Sequence, residues 1–417
     1  MSAPTEPSEP AATRTAERTP AELSTTEAWL DPFDWYVEMR EHSPVRYDES
    51  RDCFDVFRYD DVDRILHDPE TFSSDPRNAP GLDLPPEEER SPLLETMLST
   101  DAARHDRLRG VVEEWFRPRA LAGRRERLES VAAGLLDDAV AGGEMDVIDE
   151  FAYPFPVIVI AELLGVPSDE RPTFRRWSET LVEAPDGRTP EAMDDHRREQ
   201  QRVSEELSAY FEEKLDARAV DRRGDLITVI ADAEAAGELS RTEALGFCML
   251  LLVAGNITTT NLIGNAVRCL TAHPEALARA ERGDARLEPL IEEVLRYRSP
   301  VQALARFATE EVEIAGETVA EGDVVVPWIG SANRDPAAFD APDEFRIDRA
   351  PNQHLGFGRG THYCLGAPLA RLETEIALTG LFDRATGIER ATDELVPVRS
   401  AFIYGVTELP VEFERRA

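Results

Sequence analysis

Residues 354–366 read HLGFGRGTHYCLG and set one cysteine, Cys364, among four glycines, two histidines and a phenylalanine. A thiol in that setting could be a core residue, half of a redox pair, a nucleophile or a metal ligand. The other cysteines, Cys53, Cys248 and Cys269, are widely scattered and no C-x-x-C occurs. A disulfide framework and a cysteine-built zinc or iron–sulfur site are therefore excluded as first choices. A nucleophilic Cys/His pair would need His362 or His354 as its base, and His362, two residues away, is awkwardly placed for it. A lone thiolate can instead be the axial ligand of a haem iron, where its electron density favours cleavage of an oxygen–oxygen bond. Gly356, Gly358, Gly360 and Gly366 suit that role, because glycine lets a backbone approach a flat macrocycle and turn with positive φ. The residues that follow, GAPLARLETEIALTGLF, predict a helix over 367–379 with Pro368 in its first turn. Cys364 then sits at a helix N-terminus, where N–H groups and the helix dipole stabilise a thiolate.

A second polar feature is AGNITTTN, residues 254–261, inside an otherwise apolar stretch. Gly255 costs about 1 kcal/mol of helix propensity relative to alanine, and three consecutive threonines compete for backbone carbonyls. Such a break either supplies hydroxyls to a cavity or bends the helix through threonine bonds to i−4 carbonyls.

Both features need elements to hold them. SRTE, residues 240–243, is a capping box, and the apolar run after it meets no proline until Pro274. This predicts a central, buried helix over 241–271, roughly 45 Å long at 1.5 Å per residue. Earlier in the chain, VRYDES and CFDVFRY predict short strands, and residues 73–97, rich in proline and charge, predict a long loop. Helical patterns dominate from about 103 to 300. After that, ARFATEEVEIAGETV and DVVVPWIG predict short strands ahead of the cysteine loop.

Composition narrows the function classes. The 417 residues, 42% hydrophobic, suffice for a sizeable core, and 83 acidic against 46 basic residues give a net charge of −37. Such a surface repels nucleic acid and anionic membrane. Lys214 is the only lysine, and acidity with so little lysine suits a cytoplasm of high salt, where screening weakens self-repulsion. Residues 1–26, rich in Pro, Ser, Thr and Glu, predict a disordered leader, leaving 27–417 as one domain. The oily run FCMLLLVAG is too short to span a bilayer. A soluble cytoplasmic monomer is expected.

The cysteine stretch resembles the haem-binding signature of the cytochromes P450, F-x-x-G-x-x-x-C-x-G, through Phe357, Gly360, Cys364 and Gly366. EEVLR, residues 292–296, resembles the family's E-x-x-R, with Glu293 and Arg296 on one helical face. The similarity runs from about residue 27 to the C-terminus and is to the soluble prokaryotic members. It implies a mainly α fold, a single large helical domain with small β-sheets, and haem b (iron protoporphyrin IX) between the central helix and the cysteine-loop helix. Cys364 would ligate iron, and Phe357, Gly358, Gly366 and Ala254 would line the macrocycle. His105 and Arg109 of HDRLR, Arg306 and His362 would meet the propionates, since buried carboxylates need charged or hydrogen-bonding donors.

Two departures from the family pattern stand out. Glu344 occupies a position where many members place arginine, so Arg346 or Arg349 must complete the Glu293–Arg296 cluster. The family's proton-delivering motif, [A/G]-G-x-[D/E]-T, reads Ala254, Gly255, Asn256, Ile257, Thr258. The threonine remains, but the acid is an isoleucine that carries no proton. Asn256 or Thr259 could organise water in its place, the substrate could contribute a hydroxyl, or the chemistry could differ. The resemblance implies a monooxygenase using O2 and electrons from a ferredoxin with its reductase, or a flavodoxin. The alternative is peroxide-driven or non-hydroxylating haem chemistry, such as isomerisation, coupling or ligand binding. Arg104, Arg107, Arg109, Arg117, Arg119, Arg359 and Arg371 form a candidate basic docking patch. Leu82–Leu98, Leu251–Thr258, Val301–Ala305 and Phe402–Tyr404 are candidate walls for an apolar small-molecule substrate.

Overall fold

The computed structural model describes residues 19–79, 91–167, 170–182, 190–400 and 402–416. Its dominant element is the central helix, Arg241–Ala272, whose N-terminus carries the expected capping box: Glu243 N–H donates to Ser240 Oγ (3.2 Å) and Ser240 N–H to Glu243 Oε2 (2.9 Å). It ends where His273 caps it and Pro274 opens the next helix. By length and hydropathy alone this helix could cross a membrane, but most of its apolar window is buried among other helices. Helices Pro154–Leu164, Leu287–Tyr297 and Ala367–Arg384 pack on it.

The helix after the cysteine runs five residues past the expected 379. Gly380 does not break it, because the missing side chain makes room for Leu136: a Cβ there would lie 2.7 Å from Leu136 Cδ1. Leu381 and Phe382 then continue the buried face.

The strands form small sheets. Val45–Asp48 pairs antiparallel with Cys53–Val56 (Val45 opposite Val56), and Cys53–Val56 runs parallel to Val324–Pro327. Arg306–Ala308 and Phe72–Ser73 complete five strands. A hairpin joins Val312–Ile314 to Glu317–Val319, and a third sheet unites Glu144–Asp146, Pro410–Arg415 and Ala385–Arg390. Residues 80–90 of the predicted loop lie outside the described residues, and its described flanks hold the short turns Pro76–Asn78 and Pro92–Glu95. Residues 1–18 of the predicted leader also lie outside them. Residues 19–26 are folded, because Leu23 is buried beside Trp29 and Trp35, so the ordered body begins before residue 27.

The Glu293 cluster sets how the chain reaches the cysteine loop. Glu293 and Arg296 have fully buried side chains and form a bidentate pair, both contacts 2.8 Å. Arg349 is the third member, its Nε 3.1 and 3.0 Å from the two Glu293 oxygens. Arg346 contributes only its backbone N–H (2.8 Å), while its side chain pairs with Glu344 and Asp340 at the surface. Glu344 itself serves Arg296 and Arg349 through its carbonyl.

Removing a partner from a buried ion cluster leaves charge uncompensated. Arg349→Ala is therefore expected to cost on the order of 3 kcal/mol, seen as a lower urea midpoint, while Arg346→Ala leaves that midpoint unchanged. Equal effects of the two substitutions would show that Arg349 is not the third member.

Candidate haem-thiolate site

The glycines of the cysteine loop do different work. Gly358 (φ 72°) and Gly360 (φ 62°) adopt left-handed backbone, whereas Gly356 is needed for space, since a Cβ there would lie 2.9 Å from the Leu295 carbonyl oxygen. Gly366 has ordinary φ (−78°) and caps the helix that follows. The Cys364 N–H donates to the Phe357 carbonyl (2.9 Å), which folds the loop back on itself. Arg371 lies over the Phe357 ring, 4.6 Å from its centroid, and is held by Glu292 at 2.6 Å.

Burial pushes the Cys364 thiol up, while the N–H groups of Gly366 and Ala367, then Arg109 and Arg371, draw it back towards thiolate. Cys53, Cys248 and Cys269 are completely buried, and burial drives the Cys53 thiol up to about 12. Of the four cysteines only Cys364 is partly exposed. Neither histidine considered as a base is available to it: His354 Nε2 lies 3.0 Å from Glu292, and His362 Nε2 lies 2.9 Å from Asp101.

Arg306, 7% exposed, donates to the Ala305 carbonyl (2.8 Å) and has no ion pair with any described carboxylate. Burial lowers its guanidinium to about 10. Arg109 likewise lacks a carboxylate among the described residues and donates to the Tyr363 carbonyl (2.9 Å), beside Cys364. His105 is buried with its ring centroid 4.5 Å from that of His362, and burial lowers its imidazole. Asp101 was not legible as part of this group, although it stands four residues before His105 at the start of the same helix, Ala102–Phe116. It accepts from Ser73 Oγ, Ser74 N–H (3.0 Å) and Asp75 N–H (3.3 Å) as well as facing His362. Burial raises its carboxyl, but the His362 and Ser73 contacts outweigh this and hold it below the usual range.

On the central helix, Ala254 is exposed and Ile257 and Thr258 are partly exposed in the middle of a buried run. The threonines do bond back along the helix, Thr258 Oγ1 to the Ala254 carbonyl (2.9 Å) and Thr259 Oγ1 to the Gly255 carbonyl (3.3 Å). Asn256 and Thr259, expected to organise water, are buried on the other side of the helix. Asn256 Nδ2 donates to Tyr153 Oη (3.3 Å) and its Oδ1 accepts from Thr260. Gly255 eases the packing there, since Ile160 lies 3.3 Å from where its Cβ would stand.

Two further expectations change. The arginine patch is largely neutralised: Arg104 and Arg107 pair with Glu243, Arg117 with Glu113 and Glu114, Arg359 with Asp63, and Arg371 with Glu292. Of these seven, only Arg109 and Arg119 have no carboxylate partner among the described residues. In the candidate walls, Tyr404 is buried, its hydroxyl donating to the Leu30 carbonyl (2.7 Å) and accepting from Arg268 (3.1 Å). Val301, Leu304, Ala305, Phe402 and Ile403 stay partly open, Leu251 and Leu252 are buried, and Leu82–Arg90 lies outside the described residues.

A thiol at a helix N-terminus, two cations without a carboxylate partner among the described residues and a small residue exposed in a buried helix together fit a haem with two carboxylates. The cytochrome P450 family model matches residues 286–385. Cytochrome P450 109 of Bacillus spizizenii is 42% identical over 393 residues, 94% of each chain. The 6-deoxyerythronolide B hydroxylase of Saccharopolyspora erythraea is 34% identical, over 92% of this chain and 96% of its own. A crystal structure of CYP109E1 from Bacillus megaterium in complex with testosterone superposes with a TM-score of 0.88 at 39% identity, over 93% of this chain and 99% of that one. The chain belongs to the cytochrome P450 family and is a monooxygenase with the P450 fold. The sources of these relatives give no support to the high-salt expectation.

Glu373, in the helix after the cysteine, is 1% exposed with Oε2 unpaired among the described residues, and burial pushes its carboxyl well above the ordinary range. A raised folded value favours folding below the unfolded carboxyl range, and that contribution is lost as pH rises, by about 1.4 kcal/mol per unit, until the folded value is passed. Thermal melts from pH 5 upwards are expected to show a falling midpoint that Glu373→Gln flattens. Parallel curves for the two proteins would rule out this origin.

Proposed function

We propose that the chain binds haem b through the Cys364 thiolate and hydroxylates or epoxidises an apolar, steroid-sized molecule with O2. The observation that carries this is Cys364: the one partly exposed cysteine, held beneath the N–H groups of Gly366 and Ala367. Thiolate-ligated haem, when bound, supplies the one-electron and oxygen-cleaving chemistry. Arg109 and Arg306 would neutralise its carboxylates, with His105 and His362 as further donors, removing the cost of burying those cations alone. Phe357, Gly358 and Gly366 would lie along its cysteine side, and Ala254 would admit it beside the central helix.

Thr258 is the protein's proton-holding group on the central helix's open face. Its hydroxyl donates to the Ala254 carbonyl and keeps its lone pairs for a water or a guest hydroxyl. Ile257 excludes water and carries no proton. The partly open Val301, Leu304, Ala305, Phe402 and Ile403 favour an apolar guest, and the testosterone bound by CYP109E1 supports the steroid class. Electrons would come from a ferredoxin and its reductase, or a flavodoxin. The neutralised patch leaves Arg119, the member with neither a described carboxylate nor a role at the haem carboxylates, as the principal basic contact for such a partner. A cytoplasmic monomer fits this reading.

The second reading, peroxide-driven or non-hydroxylating chemistry, is favoured by one observation, the isoleucine at 257. Reduced protein under carbon monoxide is expected to give a red-shifted, thiolate-type Soret band that Cys364→Ser lacks. A folded wild-type protein without haem would defeat the proposal. Ile257→Glu is expected to raise electron-driven product formation, by up to about 10²-fold if general-acid delivery is limiting, without raising peroxide-driven turnover. No change in electron-driven turnover would favour the second reading.

A further inference from the structure

Asn261 lies three residues after Thr258 and four after Ile257, on the same face of the central helix. It is 3% exposed; its Nδ2 donates to the Ile257 carbonyl (2.8 Å), and its Oδ1 has no hydrogen-bond partner among the described residues. That oxygen is pressed against Gly405, where a Cβ would stand 1.7 Å from Oδ1 and 2.5 Å from Cγ. The glycine is thus demanded by Asn261 and not by its own backbone, which is not among the positive-φ residues. One turn further on, Asn265 Nδ2 donates to the carbonyls of Tyr404 and Arg298, both at 3.1 Å.

The far side of the same turn is equally fixed. Tyr404 N–H donates to the Pro300 carbonyl (2.8 Å), Gln302 N–H donates to the Phe402 carbonyl (2.7 Å), and Ile403 bridges to Val301. The Tyr404 hydroxyl is anchored at Leu30. With the turn held on both sides, Asn261 is a wedge between the helical turn that presents Ile257 and Thr258 and the chain turn that presents Phe402 and Ile403.

We propose that Asn261 is a positioning residue of the oxygenation site, with Gly405 as its complement. The amide holds the Ile257 carbonyl tilted towards it, as Thr258 does the Ala254 carbonyl, and fixes how far the Phe402–Ile403 wall stands from the Thr258 hydroxyl. Guest position and proton-holding group are thereby set by one side chain. The proposal rests on the monooxygenase reading of the site.

The test compares wild-type holoprotein with Asn261→Ala, Gly405→Ala and the double variant. The readouts are the infrared C–O stretch of the reduced carbon monoxide complex and the spectroscopic dissociation constant for testosterone, with thermal melts alongside. Gly405→Ala is expected to shift or split the C–O band and weaken testosterone binding several-fold. In the double variant the added methyl occupies space the amide has left, so a single band and most of the affinity should return. Rescue of folding by the double change, should Gly405→Ala not fold, supports the wedge equally. A Gly405→Ala protein identical to wild type overturns the proposal, as does a double variant no better than Gly405→Ala. Should neither glycine variant fold, Asn261→Ala decides: an unchanged band and affinity overturn the proposal, and a shifted band supports it. A wild-type protein lacking the thiolate-type carbon monoxide spectrum would defeat the haem reading first. Failure to bind testosterone with that spectrum intact defeats only the steroid class, and the C–O stretch still reads the wedge.

Discussion

The carboxylate of Glu293 is the fixed point on which the cysteine side of the molecule hangs. A fully buried carboxylate must be paired and saturated with donors, and here that demand gathers distant chain. Arg296, Arg349, Asn352 and the Arg346 N–H converge on it, and Arg296 reaches on to the carbonyls of Asn333 and Pro342. Asn333 in turn accepts the Leu355 N–H at 2.7 Å, at the entrance of the glycine loop. Polar satisfaction thus helps to prescribe the path from residue 333 to the glycine loop.

A second electrostatic constraint operates across the loop. Arg109, partly buried, and Arg306, buried, form no ion pair with a carboxylate among the described residues, and a buried cation is expensive unless an anionic group meets it. The other cations nearby follow the opposite rule: Arg371 is clamped by Glu292, and Arg104 and Arg107 by Glu243, the residue that also caps the central helix. Two arginines with no carboxylate among the described residues, Arg109 and Arg306, are what distinguishes a binding site from a surface network.

The central helix serves two purposes in one turn. Thr258 and Thr259 satisfy their hydroxyls on i−4 carbonyls, which answers the structural demand, and Thr258 still stays partly exposed. Asn256 shows the limit of reading such a motif linearly. Two residues from Thr258, it turns by about 200° at 100° per residue and is spent on Tyr153.

Much was legible in the chain itself. The capping box at Ser240–Glu243, the length of the central helix, the helix after Cys364 and the glycine-rich thiol loop follow from local rules of propensity, capping and backbone freedom. The unusual Ile257 is visible by inspection. Tertiary structure decided the rest, because the deciding contacts join residues far apart in sequence. It chose Arg349 over Arg346 for Glu293, recruited Asp101 to His362, carried the last helix past Gly380 through Leu136, withdrew Tyr404 from the substrate wall and spent most of the arginine patch on carboxylates. Sequence sets which groups are available for pairing; only the packed chain determines which partner each can reach, because a buried polar group takes whatever donor or acceptor the fold brings within about 3 Å.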